Sequence, residues 1–284
     1  MSKLRRFLSS VWIFVWHMLW LLRNFFLRYR PIEVPVKNEV IRMLPEGHIA
    51  ELMWGIGFEQ NEVAFVANHL KPGMCVLNIG ANSGLYTLIA AKIVGSKGEV
   101  HAFEPASINF SRLKSNVKLN GLNNVKINQI AVSDFSGTLA VLPDPAHPNL
   151  DSHYFVRRVE DGKPPVDAIE IIACDTIDNY WNNYCKENLK KVDMIIVDVE
   201  KAELSVFKGA SATFNASTNL VMMAECSENL DEIAILLKEH GFQFFEYNEA
   251  TRMLEEINMK SGNIYILRKN STASAWRSAN VFSF

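Results

Sequence analysis

Between residues 75 and 268 the chain alternates short, continuously apolar runs with longer segments whose apolar positions recur every three or four residues. The first pattern predicts buried strands at 75–79, 99–103, 125–131, 193–198, 219–225, 242–247 and 263–268. The second predicts helices at 84–94, 107–119, 202–214 and 229–240. Alternating β and α units imply a doubly wound, mostly parallel, seven-stranded sheet of the α/β class. The last two strands, joined by the polar Asn248 to Ser261 stretch, read as an antiparallel hairpin at the edge. Upstream, Glu59 to Leu70 reads as a helix with Val63, Phe65, Val66 and Leu70 on its apolar face, ended by Lys71-Pro72-Gly73.

The first 30 residues follow neither pattern. A run from Phe7 to Leu22 is almost wholly apolar, with Lys3, Arg5 and Arg6 before it and Arg23, Arg28 and Arg30 behind. Trp12, Trp16 and Trp20 recur at i, i+4 and i+8, so one helical face carries three indoles, a group that favours the membrane interface. A cleaved signal peptide would need a small-residue site, and nothing of that kind follows Leu22. A helix docked on the protein's own core would need an unusually deep groove, because the run is apolar all round. Membrane association through residues 4–29 is the favoured reading. The span of 16 residues falls short of the roughly 20 that cross a bilayer unless Phe25 to Leu27 extend it, so crossing and lying flat are both open.

Composition changes this picture little. With 284 residues and 49% hydrophobic content the chain can bury one ample core, and no second domain is required. A formal net charge of −2, with basic residues dispersed beyond the amino terminus, gives no electrostatic footprint for nucleic acid. The four cysteines, Cys75, Cys174, Cys185 and Cys226, form no C-x-x-C pair and read as reduced core or strand residues. The sequence does not fix the oligomeric state.

Chemistry enters at the end of the first predicted strand. Val76-Leu77-Asn78-Ile79-Gly80-Ala81-Asn82-Ser83-Gly84-Leu85-Tyr86 passes from an apolar run through a small-residue turn into a helix. Glycines at such a turn let bare backbone approach a ligand where a Cβ would collide with it. A dinucleotide fold would carry another glycine where Asn82 stands, which argues against a nicotinamide cofactor.

The turn resembles the first motif of class I S-adenosylmethionine (SAM) methyltransferases, acid-x-G-x-x-x-G. Three further stretches narrow the likeness: Phe103-Glu104-Pro105 after the second strand, Asp198-Val199-Glu200-Lys201-Ala202-Glu203 after the fourth, and Lys208-Gly209-Ala210. Together with I-G-A-N-x-G-x-Y they are similar to the FkbM-like methyltransferase family, over roughly residues 59–268. The resemblance implies a Rossmann-like methyltransferase domain over 75–269. It is preceded by a hydrophobic membrane-associating helix (1–30) and lead-in helices (31–74), and followed by a serine-rich tail (270–284) without readable signal. It implies SAM as cofactor, held by Asn78, Gly80, Ala81, Asn82, Gly84, Glu104, Val132, Ser133 and Asp198. In that scheme Glu104 takes the ribose hydroxyls, Ala131 to Asp134 border the adenine, and Glu225 stands at the pocket rim. It also implies a hydroxyl acceptor on a sugar, a lipid-linked molecule or a natural product.

Transfer of a methyl group from a sulfonium asks the protein chiefly to align the acceptor. A carboxylate beside an attacking hydroxyl can take its proton, and strand alternation puts Asp198 and Glu200 on one side of the chain. Asp198 is the first catalytic candidate and Glu200 the second; Glu203, at a helix start, also favours the helix dipole. The chain departs from the family pattern at Asn78, where an acid is expected, and at Ile196 and Lys201, where a lysine and a glycine are. Asn78 forgoes a charge-assisted hydrogen bond, a loss of about 1 to 2 kcal/mol in cofactor affinity. These departures motivate a rival reading as a degenerate, membrane-tethered interaction module; a nicotinamide oxidoreductase is a weaker one. A Pro-rich insertion, Leu142 to Pro165, carries His147, Asp151, His153 and Tyr154 and reads as a lid or acceptor loop. Its two histidines do not make a metal site, and no metal is expected. A SAM enzyme works where SAM is made, which places the catalytic domain in the cytoplasm beside a membrane.

Overall fold

The apolar runs become the interior of an eight-stranded sheet. A computed structural model describes residues 3–27, 29–55, 57–145, 154–159, 162–184, 191–248 and 253–268, with side chains from Val15 onward. In chain order the elements begin with α1 (Lys3–Phe26), β1 (Ile32–Val36), β2 (Glu39–Met43), α2 (His48–Gly55), α3 (Gln60–His69), β3 (Cys75–Ile79), α4 (Leu85–Val94), β4 (Glu99–Phe103), α5 (Ser107–Leu119) and β5 (Val125–Asn128). Then come β6 (Ala131–Val132), β7 (Gly137–Pro143), β8 (Tyr154–Arg158), β9 (Glu170–Asp175), α6 (Ile177–Tyr184) and β10 (Met194–Val197). The chain closes with α7 (Glu203–Lys208), α8 (Ser211–Ala216), β11 (Val221–Cys226), α9 (Leu230–Glu239), β12 (Phe242–Asn248), β13 (Met253–Ile257) and β14 (Gly262–Arg268).

The main sheet runs β13-β12-β14-β11-β10-β3-β4-β5. β11, β10, β3, β4 and β5 are parallel, and β14 lies antiparallel between β11 and β12. This is the Rossmann-like arrangement expected, with one strand more than the sequence suggests. The extra strand, β13, comes from the polar stretch and pairs antiparallel with β12 at the edge. Its alternation of exposed and buried residues, with Leu254 inward, is too short to stand out among charges.

Both faces of the sheet are covered. Val76 points into a core with Phe65 of α3 and Leu88 of α4, whereas the next residue, Leu77, points into another with Trp181, Phe207 and Leu237. Such two-sided burial is why the parallel strands read as continuous apolar runs. The helix expected at 202–214 is divided into α7 and α8 around Gly209, where a Cβ would lie 2.2 Å from the Ser133 carbonyl oxygen. The strand expected at 125–131 also divides: the chain leaves the main sheet after Asn128, and Ala131–Val132 pairs with β9 in a four-stranded sheet, β6-β9-β7-β8. That sheet was not anticipated and takes in part of the Pro-rich insertion; His147, Asp151 and His153 lie outside the described residues.

The amino-terminal helix forms as expected, but its described tryptophans face inward. Trp16 and Trp20 pack on Trp54 of α2, with ring centroids 4.9 Å and 5.6 Å apart, and Trp20 is buried. Gly55 makes the contact possible, since a Cβ there would fall 2.1 Å from Cζ2 of Trp16. The expectation that the indole face meets lipid is therefore corrected for these two residues. Among the described residues no helix is long and apolar enough to cross a membrane.

Candidate active site

The carboxyl ends of β3, β4, β10 and β11 surround a cavity of about 360 Å³, the position at which open α/β sheets bind ligands. The turn after β3 forms its floor. Gly80 and Ala81 both donate their N–H groups to the Phe103 carbonyl oxygen, at 3.0 Å and 2.9 Å, tying the turn to the end of β4. Gly80 has φ +79, and a Cβ on it would sit 1.8 Å from the Asp198 carbonyl oxygen. The backbone just beyond β10 therefore demands the glycine, whatever approaches the turn from the cavity side. Asn82 also lies in the left-handed region, with φ +50, which asparagine tolerates better than most residues. Its side-chain oxygen accepts the Ser83 N–H at 2.7 Å.

Glu104, just beyond β4, is buried and lines the cavity. One carboxylate oxygen accepts the Asn82 N–H at 2.8 Å, the other the Ala106 N–H at 2.9 Å. Burial pushes its pKa up to about 7, against the opposing pull of these two hydrogen bonds. Each oxygen keeps a second lone pair for another donor.

Asp198 and Glu200 line the same cavity, as strand alternation implies. Asp198 donates its N–H to the Ile79 carbonyl oxygen at 2.9 Å. Burial raises its pKa well above the usual carboxylate range, and the charges of Glu225, Glu59, Glu200 and Glu203 add to the shift. Glu203 is buried, accepts the Lys201 N–H at 3.1 Å, and is raised to about 8, again mainly by burial. Glu225 stands at the cavity edge.

The other sequence candidates divide. Val132 lines the cavity, whereas Asn78, Ala81, Gly84 and Ser133 do not. Asn78 is enclosed in β3, donating from Nδ2 to Thr87 Oγ1 at 2.8 Å, while its Oδ1 is buried with no hydrogen-bond partner. Gly84 serves packing: a Cβ there would lie 2.7 Å from Leu113 Cδ1. Ile196 is wholly buried in the core. Lys201 adopts φ +64, the conformation that a glycine supplies at no steric cost, and turns its Nζ toward Glu228, 3.4 Å away, instead of into the cavity.

Glu59 is the residue that sequence reasoning missed. It precedes α3 with φ +47, lines the cavity, and accepts a short hydrogen bond from the Tyr86 hydroxyl. Burial lifts its pKa to about 7. Only Tyr86, inside the glycine-turn motif, hinted at a partner, and that partner is 27 residues away in sequence. At the opposite ends of the strands, the ligating atoms of Cys75, Glu99 and His101 lie within 4.8 Å of one another. Tyr180 bonds His101 Nδ1 and Tyr184 bonds Glu99, each at 2.8 Å.

The cavity thus gathers Glu59, Glu104, Asp198, Glu200 and Glu225, and among the described residues its lining holds neither lysine nor arginine. Burial raises the pKa of Glu59, Glu104 and Asp198, and a cation beside them would favour their ionised forms. SAM, with a sulfonium and an ammonium group, carries positive charge of that kind. The residues present fit this cofactor.

Fold and cavity together define a SAM-dependent methyltransferase. The sequence model of the methyltransferase FkbM domain matches residues 78–244, more than half of the chain, and the chain belongs to that family. It is 28% identical over 192 residues to methyltransferase sdnD of Sordaria araneosa, covering 59% of this chain and 73% of that protein. It is 25% identical over 201 residues to the 31-O-demethyl-FK506 methyltransferase FkbM of Streptomyces tacrolimicus, covering 61% and 74%. Among solved structures, a methyltransferase FkbM from Methylobacillus flagellatus KT aligns with TM-score 0.46 and 14% identity, over 69% of this chain and 44% of that one.

Proposed function

We propose that the enzyme methylates oxygen, with a hydroxyl of a sugar, a lipid-linked molecule or a natural product as acceptor. The observation that carries this reading is the pair Asp198 and Glu200 on one wall of the cavity, with Asp198 raised far above its ordinary pKa. SAM, when bound, supplies an electrophilic methyl group on a sulfonium. Glu104 is the ribose ligand, and the Gly80 to Gly84 turn carries the methionine end. Asp198, ionised beside the bound sulfonium, would take the proton from the attacking hydroxyl as the O–C bond forms and the methyl–sulfur bond breaks, the cofactor leaving as its neutral thioether. Glu200 orients the acceptor. The name of the Streptomyces relative, which specifies a 31-O-demethyl substrate, supports oxygen as the methylated atom. Residues 31–74 serve as the lead-in to the catalytic domain, which sits on the cytoplasmic side of a membrane and is attached through the amino-terminal helix.

The test is transfer of labelled methyl groups from SAM to a panel of hydroxyl acceptors. Asp198→Asn should lower turnover by about 10² to 10⁴ while SAM still binds. Equal turnover by the variant contradicts the assignment of the base.

A further inference from the structure

We propose that α1 lies in the plane of an anionic bilayer, seated through the face that it turns away from the protein. This deepens the membrane attachment proposed above and does not depend on the cofactor or the acceptor.

α1 has two apolar faces. One is taken by the protein: Trp16 and Trp20 pack on Trp54, and Asn24 is buried with its Nδ2 donating to the Pro45 carbonyl oxygen at 3.5 Å. His17 meets Glu51 of α2 at 3.0 Å. The other face has nothing against it among the described residues. Val15, Met18, Leu19, Leu22, Phe25 and Phe26 are all exposed there, Phe25 and Phe26 to 76% and 72%. With Leu21, also exposed, they span about 160° of the helix circumference at 100° per residue. A stripe this size is far more than the single apolar residues usual on a soluble surface.

Charge selects the occupant. Residues 1–32 hold six basic residues, Lys3, Arg5, Arg6, Arg23, Arg28 and Arg30, and no acidic one. They flank the apolar run on both sides, so a second copy of the helix meets like charge at its ends whether it lies parallel or antiparallel. The exposed arc is also wider than the a/d seam of a two-stranded coiled coil. Anionic headgroups complement that charge, and an apolar stripe between basic flanks is how an interfacial helix binds. Since no described helix is long and apolar enough to cross a membrane, the helix lies flat.

The seat also bears on the cavity. Glu51, Trp54 and Gly55 of α2 meet α1, whereas His48, Ile49 and Leu52 of the same helix line the cavity. One helix diameter, about 10 Å, therefore separates the lipid-facing helix from the cavity wall.

The experiment is flotation of the full chain with phosphatidylcholine vesicles, with and without phosphatidylglycerol, at low and high salt. The expected result is co-flotation that strengthens with phosphatidylglycerol and weakens at high salt. Leu22→Glu with Phe25→Glu should lower partitioning about tenfold or more, with an unchanged melting temperature because both positions are exposed. Ile235→Glu, on an exposed position of α9, should float like the unmodified chain. Failure of the unmodified chain to float with any vesicle overturns the proposal without recourse to a variant. So does flotation that ignores the double variant, or a lipid-free dimer that the double variant dissociates. SAM binding enters none of these readouts, so failure here is separable from failure of the methyltransferase assignment.

Discussion

Gly80 and Asp198 meet backbone to backbone: a Cβ on Gly80 would lie 1.8 Å from the Asp198 carbonyl oxygen, and the Asp198 N–H is bonded to the neighbouring Ile79 at 2.9 Å. Two motifs that stand more than a hundred residues apart in sequence are thereby fixed against each other. The turn that floors the cavity and the carboxylate on its wall have one geometry because neither can move without the other.

Gly80→Ala therefore acts twice. It places an alanine at φ +79 and drives its methyl into strand backbone that has no flexible end to yield. The expected loss is at least about 3 kcal/mol of stability, read as a lower melting temperature, together with loss of SAM binding by calorimetry. An unchanged melting temperature contradicts the close approach.

Stability should fall as pH rises. Glu59 and Glu104 titrate near 7 and Glu203 near 8 in the folded chain, against 4.5 for an ordinary glutamate. Between those values the folded state holds protons that the unfolded state has released, so their stabilisation is complete below about pH 4.5 and is lost on passing pH 7 to 8. For Glu104, which is 5% exposed, the upper bound is roughly 3 kcal/mol. Melting of the ligand-free protein at pH 5 and pH 8 measures the fall. SAM should raise the melting temperature more at pH 8, because a cationic ligand favours the ionised carboxylates.

Lys201→Gly should stabilise. It relieves the left-handed backbone at φ +64 and gives up only an exposed pair with Glu228. A gain of about 1 kcal/mol is expected by denaturant melting, with methyl transfer unchanged because the lysine does not line the cavity. A loss of turnover would mean that Lys201 reaches the acceptor.

Much of this was legible in the sequence for a physical reason. Strands buried on both faces appear as apolar runs, and their ends carry the chemistry, so the Gly80 turn, Glu104 and Asp198 with Glu200 were all visible along the chain. What stayed hidden depends on packing. The spacing of Trp16 and Trp20 shows a common face but not its direction, which Trp54 and Gly55 decide. Glu59 belongs to the cavity only through the fold that brings it to Tyr86. Asn78 sits in the expected motif and yet is enclosed by β3 and Thr87, and the division of α7 from α8 follows from Ser133 lying against Gly209.

The central claim is that the acidic cavity between the Gly80 turn, Glu104 and Asp198 is the SAM site. Calorimetric titration of the full chain with SAM, for the unmodified protein and for Glu104→Gln, tests it most directly. The account predicts one SAM bound per chain and an affinity at least about tenfold weaker in the variant, titrated below its own melting temperature, which should fall because the amide nitrogen cannot accept one of the two backbone N–H groups. No binding to the unmodified protein, or equal binding to both, would contradict it.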